Sequence, residues 1–229
     1  MKKLFLYILF LGFGSAAQAQ SVNLDSIFEP KLRGRIYQAK TGIEGNQFYN
    51  NEWSVSDIRL VSGETVFKKQ LKYNVLLDEV IWLQAGTYNQ VKLEKQFINE
   101  FSLENEKGEI GWFRRIHTKL PSMVDSADIF VQVLSEKAFA LCVFRAVRVE
   151  GAVHNVNGVD LYIDKITPEP QYILVLPDRQ TIFFKRISKR ALAKALPEKY
   201  KSVFKEAIQL NRLSVRTEAD LIKLVRLVE

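Results

Sequence analysis

Scarcity bounds this sequence before any pattern does. Its 229 residues include one cysteine, Cys142, which excludes a disulfide framework within the chain and any zinc site built on several thiolates. Two histidines, His117 and His154, leave little for histidine-based metal or acid–base chemistry. Six prolines and eleven glycines exclude collagen-like and low-complexity chains. No apolar run reaches the ~20 residues of a membrane-spanning helix. Gly-x-Ser-x-Gly, a glycine-rich phosphate loop and His-Glu-x-x-His are all missing, so neither a cofactor nor a metal is expected and no catalytic residue is assigned.

What is present is globular: 47% hydrophobic, 26% charged and 11% aromatic residues, enough for one domain, or one and a small appendage, and a core that needs no staples. Met1-Lys2-Lys3, the apolar run Leu4 to Phe13 and Ala17-Gln18-Ala19 have the order of a signal peptide. Residues 1–19 are therefore expected to be removed, and the absence of cysteine at the cleavage point argues against a lipoprotein anchor. The charge is unevenly spread. Residues 20–184 carry nineteen basic and twenty-one acidic side chains, whereas 185–229 carry twelve and five. In an exported protein such a tail suits anionic lipid, acidic glycan or another envelope protein, and nucleic acid is not expected.

Between Val55 and Ile187 the dominant period is two, with turn signals at Ser62-Gly63, Ala85-Gly86, Asn105 to Gly108, Asn157-Gly158 and Pro177-Asp178. Val91, Leu93 and Phe97 alternate with polar residues, as do Val159, Leu161 and Ile163. The spacing leaves no room for crossover helices, so the sheet should be antiparallel. Ala138 to Phe144 is apolar on both faces and predicts a central strand covered on both sides. The expected fold is α+β, mainly antiparallel β: a meander over 20–187 forming a barrel-like or sandwich sheet. A basic segment, 188–229, follows, with two or three helices packed on it. Ser188 should cap one helix, Pro197 should begin a second that stops near Asn211, and Thr217 to Asp220 reads as the capping box of a third. Charges on both strand faces and the basic helical end argue against an outer-membrane barrel.

Candidate sites are few. Trp112, Arg114, Arg115 and His117 mix aromatic and basic groups that could stack on a ring or grip an anion. On a strand, however, Trp112 and Arg114 share one face, while Arg115 and His117 share the other. Lys189, Arg190 and Lys194 are the candidate contacts for an anionic surface. Asp78-Glu79 reads as a turn between strands, because adjacent strand residues point to opposite faces. Asp160 and Asp164 lie ~13 Å apart on one face, too far for one metal ion. Cys142 reads as a buried inert thiol and His154 as loop polarity.

The run Gly45 to Trp53, then Leu71-Lys72-Tyr73-Asn74 with Asp78-Glu79 beyond, resembles a pattern in exported proteins of Bacteroidota. That pattern is a G-x-x-Y-x-N-x-x-W opening, here with Phe48 at its aromatic position, followed by a L-(K/R)-Y-N strand and an acid pair. Lys199-Tyr200, Asn211-Arg212-Leu213 and Glu218 to Ile222 are similar to its ending. The resemblance implies an envelope or secreted location and carries over no catalytic residues. The expectation is an exported periplasmic or surface protein that acts by binding. The alternatives are a carrier of a lipid or other apolar ligand in a curved β-sheet, and a hydrolase of envelope polymers.

Overall fold

The computed structural model describes residues 31–228, so the expected leader lies outside the described residues. In chain order the strands are β1 (Gly34–Ile36), β2 (Ile43–Glu44), β3 (Ser54–Leu60), β4 (Thr65–Asn74), β5 (Glu79–Leu83), β6 (Gln90–Leu93) and β7 (Ile98–Glu104). They continue as β8 (Ile110–Thr118), β9 (Ala127–Glu136), β10 (Ala140–Phe144), β11 (Val147–Val156), β12 (Val159–Pro168), β13 (Gln171–Val175) and β14 (Thr181–Phe184). Eleven of them form one sheet in the order β1-β6-β5-β4-β3-β7-β8-β9-β10-β13-β14, every neighbouring pair antiparallel. The chain is thus α+β and mainly antiparallel.

The first half of this sheet curls. In a flat sheet the four spacings between β4 and β9 would set them ~19 Å apart. Instead the Tyr73 ring on β4 lies 6.3 Å, centroid to centroid, from Phe130 on β9. Phe101 and Phe113 stack on each other at 5.1 Å, both lie within 5.6 Å of the Tyr73 ring, and Phe101 meets Phe130 edge-on at 5.0 Å, so the concave side is filled by aromatic side chains. The sheet takes a barrel-like form there without closing: β1 and β14 remain its edges.

The strand β10 sits between β9 and β13 as the apolar run predicts, but it begins at Ala140 and only its Leu141–Val143 face is fully buried, the Cys142–Phe144 face being half-buried. Leu141 and Val143 face a helix-covered core, while Cys142 and Phe144 pack on the other side with Ile129, Val131 and Ile173. Helices α1 (Lys189–Ala195), α2 (Glu198–Leu210) and α3 (Glu218–Leu227) form that cover. Their limits are set locally. Ser188 accepts the Ala191 N–H, Asn211 ends α2, and Thr217 and Asp220 make a reciprocal capping box.

Two patterns resolve differently from their alternation. Val91 and Leu93 belong to β6, but a 3-10 turn over Lys95–Phe97 interrupts the strand before β7. Val159, Leu161 and Ile163 lie on β12, which forms with β11 and the short parallel β2 a separate three-stranded sheet. There Val159 and Leu161 are exposed and not core.

Candidate functional site

The sequence-expected ligand set does not converge. On one face of β8, Arg59 lies over the Trp112 ring, and both Arg59 and Arg114 bind the buried Glu100 carboxylate at 2.8 and 2.5 Å. Arg114 also pairs with Glu136, and this guanidinium holds the Glu136 carboxyl below its usual range. On the other face Arg115 reaches Asp128 at 3.2 Å and the Gln96 carbonyl at 3.2 Å. His117 spans Asp128 and Ser126 at 2.9 and 3.2 Å. The basic groups are thus partnered by the chain's own acceptors.

The Asp128 carboxylate borders a cleft of about 490 Å³ at the rim of the curled sheet, lined also by Arg35, Asp78, Glu79, Lys92 and Lys95. Sequence reading treats Asp78 as a turn residue, and it does sit in the β4–β5 turn with φ of 54°. Its side chain, however, points inward. The carboxylate accepts from Tyr73 Oη at 2.6 Å, from Lys95 Nζ at 2.6 Å and from the Phe130 N–H at 3.3 Å. Lys95 donates in turn to the Asp128 carbonyl at 3.1 Å, and Tyr73 Oη lies 3.5 Å from the Phe130 carbonyl.

This cluster answers a backbone question. The pairing of β9 with β10 covers only Gln132 to Glu136, so Asp128 and Phe130 have no strand beside them on that edge. Asp78, Lys95 and Tyr73 supply the missing donors and acceptors. Burial pushes the Asp78 carboxyl up, against the lowering effect of Lys95, and pushes the Tyr73 phenol well up, with Asp78 adding to the rise. Lys92 and Glu79 pair beside them at 2.9 Å. The cleft is charged but internally neutralised, and its carboxylate is committed to holding the curl.

A second polar bridge joins the two cores. Arg145 donates to Gln132 Oε1 at 2.8 and 2.5 Å and to Glu218, the first residue of α3, at 2.8 Å. Gln132 donates to Tyr49 Oη at 3.1 Å. This network ties the helical layer to the curled sheet.

Of the tail cations, Arg190 and Lys194 lie one helical turn apart on α1. Lys189 instead lines a groove of about 640 Å³ between α1 and α2, floored by Leu192, Leu196 and Phe204 and rimmed by Lys201 and Lys205. All three are surface residues, and only Lys189 borders that groove.

The arm formed by β11 and β12 gathers five exposed large hydrophobic residues, Val149, Val153, Val159, Leu161 and Tyr162. Its ten paired positions run from Val147–Pro168 to Val156–Val159 around Asn157-Gly158, whose φ values of 53° and 84° give a two-residue hairpin turn of positive dihedrals. The base is fixed. Ile166 is buried, and Gly45 approaches it so closely that a Cβ there would lie 2.7 Å from the Ile166 carbonyl. Lys40 pairs with Asp164 at 2.6 Å, and the Glu44 carboxylate lies 3.1 Å from both Lys165 Nζ and His154 Nε2. Beyond the base, Val149, Val153 and Tyr162 share one face and remain 45%, 52% and 83% exposed. Gly151 leaves a dent between the two valines. With Gly42, Thr41, Asp164 and the Tyr162 ring it outlines a hollow of about 550 Å³. The sequence reading placed the turn but not the exposure, since alternation identifies an apolar face without saying what covers it.

Comparison with known proteins adds no family: no family model, no curated protein and no solved structure matches this chain. No described helix is long and apolar enough to cross a membrane.

Proposed function

We propose that this is an exported protein of the periplasm or cell surface that works by binding rather than by catalysis, with the β11–β12 arm as its binding element. One observation carries the reading: the arm holds Val149, Val153 and Tyr162 in water on one face. An exposed apolar face of this kind marks a surface that gains by being covered. The charged clusters elsewhere support it, because Arg114, Arg115, Asp78 and Lys95 are occupied within the chain. The leader-like residues 1–19 support export, and the partner class is another envelope protein. Lys189, Arg190 and Lys194 offer a second, electrostatic contact to anionic lipid or acidic glycan.

The test is the double variant Val153→Ser/Tyr162→Ser. Both side chains are on the open arm, so thermal unfolding of the body should be unchanged while retention with envelope fractions falls several-fold. Retention equal to that of the parent would end the reading.

A carrier is the second reading, and the α1–α2 groove is the observation that favours it. An apolar floor under Lys189, Lys201 and Lys205 suits an acyl chain with an anionic head. Native mass spectrometry of protein purified from its own compartment checks it: extra mass that extracts into organic solvent is the expected result, and a bare chain would remove the carrier.

A further inference from the structure

The two parts of the chain differ in sign. Residues 20–184 carry nineteen basic and twenty-one acidic side chains, whereas 185–229 carry twelve and five, and α1, α2 and α3 all fall in the second part. The sheet body is therefore slightly anionic and its helical cover strongly cationic. Such a separation turns one side of a molecule toward an anionic surface.

The helix α1 shows this most directly. Its first turn holds Lys189 and Arg190, its last turn holds Lys194, and it contains no acidic residue. The helix dipole favours acids at an N-terminus, so Lys189 and Arg190 work against the helix that carries them. Folding gives no reason for their charge. On α2, Lys199 is taken by Asp178 and Lys201 by Glu198. Lys189, Arg190, Lys194 and Lys205, by contrast, are exposed and have no ion-pair partner among the described residues.

Aliphatic side chains accompany the charge. Lys201 and Lys205 lie one turn apart on the flank of α2 that rims the α1–α2 groove. Val203 and Leu210, two turns apart, share the opposite flank and stay 44% and 75% exposed.

We propose that this helical cover docks on an anionic phospholipid bilayer, with Lys189, Arg190, Lys194 and Lys205 at the head groups and Leu210 entering the acyl boundary. Charge complementarity calls for an anionic occupant. The exposed aliphatics select a bilayer over a soluble acidic glycan, which gives them nothing to enter. The inference rests on the electrostatic contact read for the tail and deepens it by committing to one partner.

Co-sedimentation of the mature protein with lipid vesicles tests it. Vesicles of mixed phosphatidylglycerol and phosphatidylcholine should retain the protein, and pure phosphatidylcholine should not. Molar salt should release it, because screening shortens the reach of exposed charges. Lys189→Glu/Lys194→Glu should weaken vesicle binding about tenfold or more, since each reversal replaces an attraction with a repulsion. Leu210→Ser should weaken it a few-fold and leave the salt dependence in place. All three side chains are exposed, so the thermal midpoints should stay close to that of the parent. Equal binding to both vesicle types, or a double reversal that binds like the parent, would overturn the proposal. Lipid leaving the vesicles with the protein would also overturn it, in favour of a carrier. If soluble polygalacturonate bound the protein and the vesicles did not, the tail contact would stand and this inference alone would fall. Binding to neither would remove both, while envelope retention through Val153 and Tyr162 would still be read separately.

Discussion

Burial raises the pKa of the Asp78 carboxyl, while Lys95, the Tyr73 hydroxyl and the Phe130 N–H favour its ionised form. A carboxyl whose folded pKa lies above its unfolded value binds more protons in the native state. Its contribution to stability therefore falls as pH rises from the ordinary carboxylate range through the folded value. Asp78→Asn should remove that slope. It keeps an acceptor for Phe130 and should cost about 1 kcal/mol, whereas Asp78→Ala strands a buried N–H, a hydroxyl and an ammonium and should cost about 3 kcal/mol. Urea unfolding of both variants at several pH values checks the order, and equal losses would contradict the edge-holding role. Glu136 works in the other direction: its lowered pKa contributes stability above the usual carboxylate range that is lost as pH falls. Cys142 is held up to about 11 by burial, so native protein at pH 8 should resist alkylation that unfolded protein accepts within minutes. The motif that runs from Tyr73 to Asp78-Glu79 names two members of this cluster, but their contact is not legible in sequence. Sequence adjacency pairs Asp78 with Glu79, while its partners come from Tyr73, five residues back, and from Lys95 and Phe130, 17 and 52 residues on.

Elements were legible where their determinants are local. Ser188, Asn211 and the Thr217–Asp220 box mark helix ends through side chains within three or four residues of the groups they satisfy. Thr217→Ala should therefore cost about 1 kcal/mol and lower the thermal midpoint by a few degrees. Loss of α3 burial against β9 would be a larger effect than the cap alone explains. The β11–β12 arm was legible as a hairpin from Asn157-Gly158, but not as an arm. The period of two on β12 is the same whether an apolar face meets a core or water, and only the topology distinguishes them. The break of β6 at Leu93 was hidden likewise: the 3-10 turn at Lys95–Phe97 exists because the chain must pass from one flank of the curled sheet to β7, which pairs with β3.

At the scale of the molecule, the antiparallel meander and its helical cover follow from pattern and turn spacing, while the curl does not. It depends on Phe101, Phe113, Phe130 and Tyr73 meeting from four strands, and on Asp78 and Lys95 standing in for an absent strand along β9. Phe113 is fully buried within this stack, so Phe113→Ala should cost about 3 to 5 kcal/mol in chemical denaturation. The result is a body whose apolar and charged groups are mostly satisfied internally, carrying one arm whose apolar face is not. A photo-crosslinking residue placed at Tyr162, with one at the comparably exposed Tyr88 as control, tests that division in living cells. The account expects a discrete crosslinked product from position 162 and none from position 88. Adducts from both positions alike, or none from 162, would contradict the assignment of binding to the arm.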